Sequence, residues 1–226
     1  MNYVIIVAGG TGTRMKSDVP KQFLPLHGKP ILLRTIEAFY RYSPSIKIVL
    51  GLPASHVKEW EEICHRHNRP LKEKIVEGGA TRFQTVKKCL DEINEIKGCV
   101  AIHDGVRPFI SKEIIEESFA VAEKGTGAVA SIAVKESLRT INKEGISIAV
   151  DRKDYVLIQT PQTFPIKLIK EAYKQKEFPY MTDDATVAEK AGYTIALIPG
   201  SEQNIKITTP LDFKIANILL MSKSDL

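Results

Sequence analysis

A chain of 226 residues, 43% hydrophobic and 26% charged, has the composition of a globular protein and can bury a sizeable core in one large domain or two small ones. The net charge of +5 and a pI near 9.0 suit an enzyme acting on a small anionic substrate. No lysine/arginine run exceeds two residues and no aromatics interleave with basic side chains, which argues against nucleic acid as a partner.

The three cysteines, Cys64, Cys89 and Cys99, are sparse, odd in number and without CxxC spacing, as suits a reducing cytoplasm. The apolar start at residues 3–8 is too short to span a membrane and lacks a basic flank. No other segment reaches the ~18 apolar residues of a spanning helix. A cytoplasmic protein with no membrane partner is expected.

In chain order, short β-branched apolar runs at 3–7, 46–50, 74–76, 100–103 and 128–134 read as buried strands. Between them, 31–42, 55–67, 81–93 and 112–123 have helical spacing. This alternation predicts an α/β, three-layer, Rossmann-like fold with a mostly parallel sheet, one domain throughout, and ligands at the carboxyl ends of its strands. The pattern breaks at 135–160, where Lys143-Glu144-Gly145 separates two alternating stretches. An inserted β-hairpin arm at about 136–153 is expected, ahead of a returning strand. An isolated hairpin is marginal in water, so a second subunit is its natural support and a homodimer is expected. Helices at 166–175 and 184–191, a strand at 194–198 and a last helix at 211–221 complete the chain.

The first strand runs into Gly9-Gly10-Thr11-Gly12-Thr13-Arg14-Met15, followed by Pro20-Lys21. Met15 occupies the third glycine position of a dinucleotide fingerprint, and the next strand ends in Gly51-Leu52-Pro53 with no ribose-binding acid. The GxxxxGK[ST] of a P-loop is absent. What remains is a loop whose exposed backbone N–H groups can cradle phosphates, with Arg14 and Lys21 placed to neutralise charge that develops during phosphoryl transfer.

GGTGTRM followed by PKQ resembles the sugar-nucleotidyltransferase superfamily. Gly78-Gly79-Ala80-Thr81-Arg82, Ile102-His103-Asp104-Gly105-Val106-Arg107-Pro108, Val150-Asp151-Arg152, Thr160-Pro161-Gln162-Thr163-Phe164, Thr182-Asp183-Asp184 and Asn204-Ile205-Lys206-Ile207-Thr208 stand in the order and spacing of one family, 2-C-methyl-D-erythritol 4-phosphate cytidylyltransferase. The resemblance implies transfer of CMP from CTP to that sugar-alcohol phosphate, with Mg²⁺. It implies catalytic roles for Arg14, Lys21 and Lys206. It implies CTP contacts from Ala8, Gly9, Gly10, Thr11, Gly12, Thr13, Gly79, Ala80, Thr85, Asp104 and Gly105, with Asp104 also near the metal. Acceptor contacts are implied for Arg107, Ser137, Arg152 and Thr182, with Ser137 and Arg152 reaching across a dimer interface. The chain departs from the family pattern at Ala80, often an acid, at Gly105-Val106, usually two alanines, and at Ser137, usually threonine. A pentitol phosphate such as ribitol 5-phosphate is the alternative acceptor, and a non-catalytic CTP sensor the alternative of another class.

Thr182-Asp183 also reads as a helix N-cap whose first turn would attract an anion. Lys206 is expected on a strand, with Pro210 opening the last helix. Cys64-His65-Arg66-His67 lacks an i,i+4 ligand pair and reads as a solvated helix end. A phosphate nucleophile with a second pKa of about 6 is already a dianion at neutral pH, so no catalytic base is required.

Overall fold

The computed structural model describes residues 1–10 and 19–224, and the side chains of those up to 221. Thr11, Gly12, Thr13 and Arg14 lie outside the described residues.

Strand β1 (Tyr3–Val7) is buried on both sides because nearly every residue in it is apolar. Next comes a small ribbon, β2 (Pro25–Leu26) and β3 (Lys29–Pro30), closed by His27 (φ 46°) and Gly28 (φ 73°). Two central residues at positive φ match the right-handed twist of a hairpin. The following α1 (Ile31–Tyr42), β4 (Lys47–Leu52), α2 (Val57–Arg66), β5 (Lys74–Glu77), α3 (Arg82–Asp91), β6 (Cys99–Asp104), α4 (Lys112–Ala122) and β7 (Gly127–Ala133) reproduce the expected alternation. The expected helix at 55–67 is split, a 3₁₀ turn at Ala54–His56 preceding α2, and Cys64 within it is buried rather than solvated.

Then come β8 (Leu138–Ile141) and β9 (Ser147–Val150), β10 (Val156–Pro165), α5 (Ile166–Ala172), α6 (Asp184–Lys190), β11 (Ile195–Pro199) and α7 (Pro210–Ser224). β8 and β9 form a separate antiparallel hairpin at the expected place. Its turn is organised by the Asn142 side-chain oxygen, which accepts from the N–H groups of Glu144 (3.0 Å) and Ile146 (2.9 Å).

The main sheet has seven strands in the order β11-β7-β10-β6-β1-β4-β5. Only β10 runs antiparallel to its neighbours. Alternate residues of β1 face opposite layers: Val4 and Ile6 pack with α1, α2 and α4, and Tyr3 and Ile5 with α3, α5 and α6. Full burial of each such aliphatic side chain contributes about 1.5–3 kcal/mol. A third cluster joins Val106, Phe109 and Ile207 to α7 through Ala216.

The segment bearing Lys206 is not a strand. The N–H of Ile207 donates to Val106 O (3.0 Å), but no ladder extends along the segment. The alternation around Lys206 arises because Ile205 and Ile207 both pack against the third cluster while Lys206 between them is exposed. Pro210 does begin α7, and Asp212 closes a capping box with Thr209.

Candidate active site

The register of β1 aligns Val7 with Gly51 of β4 and Asp104 of β6, so their carboxyl ends share one edge. Past that edge the chains are stitched together: Ala8 N donates to Gly51 O (3.0 Å), Gly105 N to Val7 O (2.9 Å) and Gly78 N to Leu52 O (2.7 Å). A cavity of about 280 Å³ opens above, lined by Ala8, Gly9, Gly10, Lys21, Gly79, Ala80, Thr85, Asp104 and Lys206 among others. A second, of about 210 Å³, adjoins it and takes in Arg107, Thr160, Gln162 and Thr182. Arg82, Asp104 and Lys206 line both.

Lys21 stands on a 3₁₀ turn (Lys21–Phe23) whose apolar residue fixes it: Phe23 is buried and stacks on Trp60 at 6.2 Å. Gln22, fully buried, donates to Ala8 O (3.1 Å) and so orients the peptide that starts the glycine loop. A side-chain carbon added at Gly10 would touch Lys21 Cε at 3.4 Å, which puts the lysine directly beside the loop.

The loop before α3 needs its glycine for space. A Cβ at Gly79 would lie 2.3 Å from Gln84 Cβ, a separation real atoms do not adopt. The Thr85 hydroxyl donates to Thr81 O (2.9 Å) and accepts from Gly79 N (3.0 Å). Ala80 N donates to Gln84 Oε1 (3.0 Å). Thr85, for which the resemblance implies a CTP contact, thus shapes the loop itself. Gly105 is packed less tightly but still closely, an added Cβ falling 3.0 Å from Ala8 Cβ and Leu32 Cδ1.

Asp104 is the electrostatic centre. Its Oδ2 accepts from Arg107 Nε (3.1 Å) and lies 3.1 Å from Lys206 Nζ. Burial alone would raise its pKa, but the charges of Lys206, Arg82 and Arg107 outweigh that and hold the carboxyl well below the usual range. Arg107 also donates to Asn204 O (2.7 Å), which ties the Lys206 segment to the end of β6.

Several positioning residues lay inside quoted motifs without an assigned role. His103 is wholly buried, its Nε2 3.1 Å from Arg107 O and its Nδ1 3.0 Å from Thr160 Oγ1. A carbonyl only accepts, so the ring proton sits on Nε2, and the Thr160 hydroxyl donates to Nδ1 while accepting from Asp104 N (3.1 Å). Burial pushes the imidazole pKa down to about 4, so it is neutral at physiological pH. Gln162 Oε1 accepts from the N–H groups of Asp184 (2.9 Å) and Ala185 (2.8 Å), and Asp183 Oδ1 from Thr186 N (2.9 Å). The first turn of α6 is therefore occupied by the protein's own acceptors. That corrects the expectation of an anion site there: Thr182 lines the smaller cavity, but the helix end beside it offers no free first-turn N–H. The chemical types Gln, His and Asp in motifs were the available signal; their pairing across long sequence separations was not readable.

Ser137 and Arg152 are not brought to these cavities. Both are exposed on the hairpin, where Arg152 donates to the carbonyl of Lys135.

Arg82, Arg107 and Lys206 therefore act on Asp104, and Lys21 lines the same larger cavity, at the open end of the sheet. An arrangement of this kind aligns and neutralises phosphates without a nucleophilic side chain or a strong base, and with this fold it defines a nucleotidyltransferase. The family model for IspD, 2-C-methyl-D-erythritol 4-phosphate cytidylyltransferase, matches residues 2–222, and the chain belongs to that family. It is 47% identical over 218 residues to the protein of that name from Phocaeicola vulgatus, covering 96% of this chain and 99% of the relative. The Bacteroides fragilis protein of the same name is 48% identical over 216 residues, covering 96% and 98%. Among solved structures, 4-diphosphocytidyl-2C-methyl-D-erythritol synthase from Anaerococcus prevotii superposes with a TM-score of 0.83 at 26% identity, covering 97% of this chain and 96% of that one.

Proposed function

We propose that this chain transfers CMP from CTP to 2-C-methyl-D-erythritol 4-phosphate, releasing pyrophosphate and forming 4-diphosphocytidyl-2-C-methyl-D-erythritol. The observation that carries this reading is the seam between the two cavities, where Asp104 and Lys206 face both. The larger cavity takes CTP and the smaller the acceptor phosphate. An oxygen of that phosphate attacks the α-phosphorus of CTP. The new P–O bond forms as the bond to the bridging oxygen of the β-phosphate breaks, and pyrophosphate leaves with that oxygen. The attacking group is a dianion, so no proton is transferred.

The chain's own groups supply alignment and charge. Lys21, with Arg14, neutralises the triphosphate beside the glycine loop. Main-chain carbonyls at Gly79 and Ala80, whose N–H groups are taken by Thr85 and Gln84, read the base, which makes the alanine at position 80 compatible with cytosine. Lys206, fixed by Asp104, and Arg107 hold the acceptor phosphate.

The donor set also fits Mg²⁺. No cluster of three His, Cys, Asp or Glu stands among the described residues, so phosphates and water would supply most ligands. Asp104 would hold the ion through Oδ1, which accepts no hydrogen bond among the described residues, Oδ2 being the oxygen engaged by Arg107 and Lys206. When bound, the ion would withdraw charge from phosphate oxygens as they approach one another.

The hairpin and the start of β10 expose Ile141, Ile146, Ile148, Val156 and Leu157, an apolar surface of the kind that marks an interface. We take it to join two copies as a homodimer, with Ser137 and Arg152 of each arm completing the acceptor site of the other. No described helix is long and apolar enough to cross a membrane, and the buried free thiols suit the cytoplasm.

The test is pyrophosphate release from CTP and Mg²⁺ with methylerythritol phosphate, with ribitol 5-phosphate and with no acceptor. Release with the first alone is expected. Release with ribitol 5-phosphate instead would move the protein to pentitol transfer. CTP binding without release in any arm would make it a sensor.

A further inference from the structure

Arg82 lines both cavities, as Asp104 and Lys206 do, yet the reaction as described gives it no task. It opens α3, directly after the base-facing loop, and its guanidinium crosses to the first residue of α6. Nη1 donates to Asp184 Oδ1 (2.7 Å) and Nη2 to Asp184 Oδ2 (2.5 Å), a bidentate clamp between residues 102 apart in sequence. The Asp184 side chain is wholly buried, and Tyr173 adds a second donor to it, its hydroxyl 2.6 Å from Oδ1. Tyr173 is itself fixed by stacking on Phe83 at 4.7 Å. The Asp184 and Ala185 amides are pinned to Gln162, so the carboxylate cannot swing away.

The acid is wholly buried, but the arginine side chain stays 25% exposed and lines both cavities. Guanidinium has five N–H donors in a rigid fork. Asp184 takes two, and no other group among the described residues accepts from Arg82. Three donors therefore remain on a side chain that lines both cavities, where two polyanions must approach.

We propose that Arg82 is a substrate-binding cation for the phosphates at the seam, held in a fixed orientation by Asp184 and Tyr173. The proposal rests on the cytidylyltransferase reading. Its role differs from that of Lys206: a lysine ammonium is a single point charge, whereas the clamped planar fork can bridge the acceptor phosphate and the α-phosphate at once. It gains most as the two phosphates converge, so its loss should fall on kcat more than on either KM.

Arg82→Met alone leaves a buried carboxylate unpaired and is expected to lower Tm. The decisive variant is Arg82→Met/Asp184→Asn, which removes both charges together. If Arg82 binds substrate, the double variant regains Tm while kcat stays about 10²–10³-fold down, as for loss of one preorganised donor. A double variant with wild-type Tm and turnover within threefold overturns the proposal and leaves the pair purely structural. Should neither variant fold, the wild-type enzyme decides: CTP with pyrophosphate and acceptor should protect Arg82 from phenylglyoxal, mapped by peptide mass spectrometry, and undiminished labelling would overturn it. A wild-type enzyme that releases no pyrophosphate with any acceptor instead refutes the underlying reading, which separates the two failures.

Discussion

Replacing His103 by glutamine should change how the protein responds to acid. In the folded chain the ring is wholly enclosed, with Phe39 edge-on at 5.0 Å, and it donates from Nε2 and accepts at Nδ1. Burial holds its pKa at about 4, against about 6.5 unfolded. Between those values the unfolded chain binds more protons than the native one, so native stability falls as pH drops through that window and levels off below it. From pH 7.5 to 4.5 the loss from this one group is roughly 2–3 kcal/mol. His103→Gln keeps a donor for Arg107 O but has no proton to gain. At pH 7.5 the variant should be less stable by about 1–3 kcal/mol, the cost of poorly satisfied buried partners. At pH 4.5 the gap should close or reverse. Urea unfolding of both proteins at the two pH values, in metal-free buffer, measures it. The neighbours Asp104, Arg107 and Lys206 are common to both proteins and largely cancel in the difference. A gap that is the same at both pH values would refute the buried neutral imidazole.

Lys21→Ala should lower kcat by about 10²–10³-fold with little change in Tm, since it removes one positioned cation from the site; wild-type turnover in a steady-state assay would exclude that role. Gly79→Ala forces a Cβ to within 2.3 Å of Gln84 Cβ, so the base loop must shift and the KM for CTP should rise at least tenfold, with a smaller effect on the acceptor. Deleting 139–149 should yield a monomer by analytical ultracentrifugation and abolish turnover; an active monomer would remove the arm from the acceptor site.

The alternation of strands and helices was legible because β1, β4 and β6 are buried on both faces and so read as unbroken apolar runs. The hairpin was legible from its turn chemistry, with Gly145 at φ 82°. The segment around Lys206 was not, because two isoleucines packed inward on either side of an exposed lysine mimic a strand whether or not a ladder partner exists. Motif residues that line the cavities, such as Lys21, Asp104 and Arg107, could be picked out by charge and loop setting. Arg82, His103 and Gln162 could not, because each takes its meaning from partners that only the fold brings near: Asp184, Thr160 and the start of α6.

The central claim is direct attack by the acceptor phosphate on the α-phosphorus of CTP. It is tested most directly with methylerythritol phosphate carrying ¹⁸O in its phosphate, incubated with CTP, Mg²⁺ and the enzyme, and mass spectrometry of both products. The account predicts that all the label stays in the CMP-bearing product and none enters pyrophosphate. Label in the released pyrophosphate, or formation of free CMP without a labelled adduct, would contradict it.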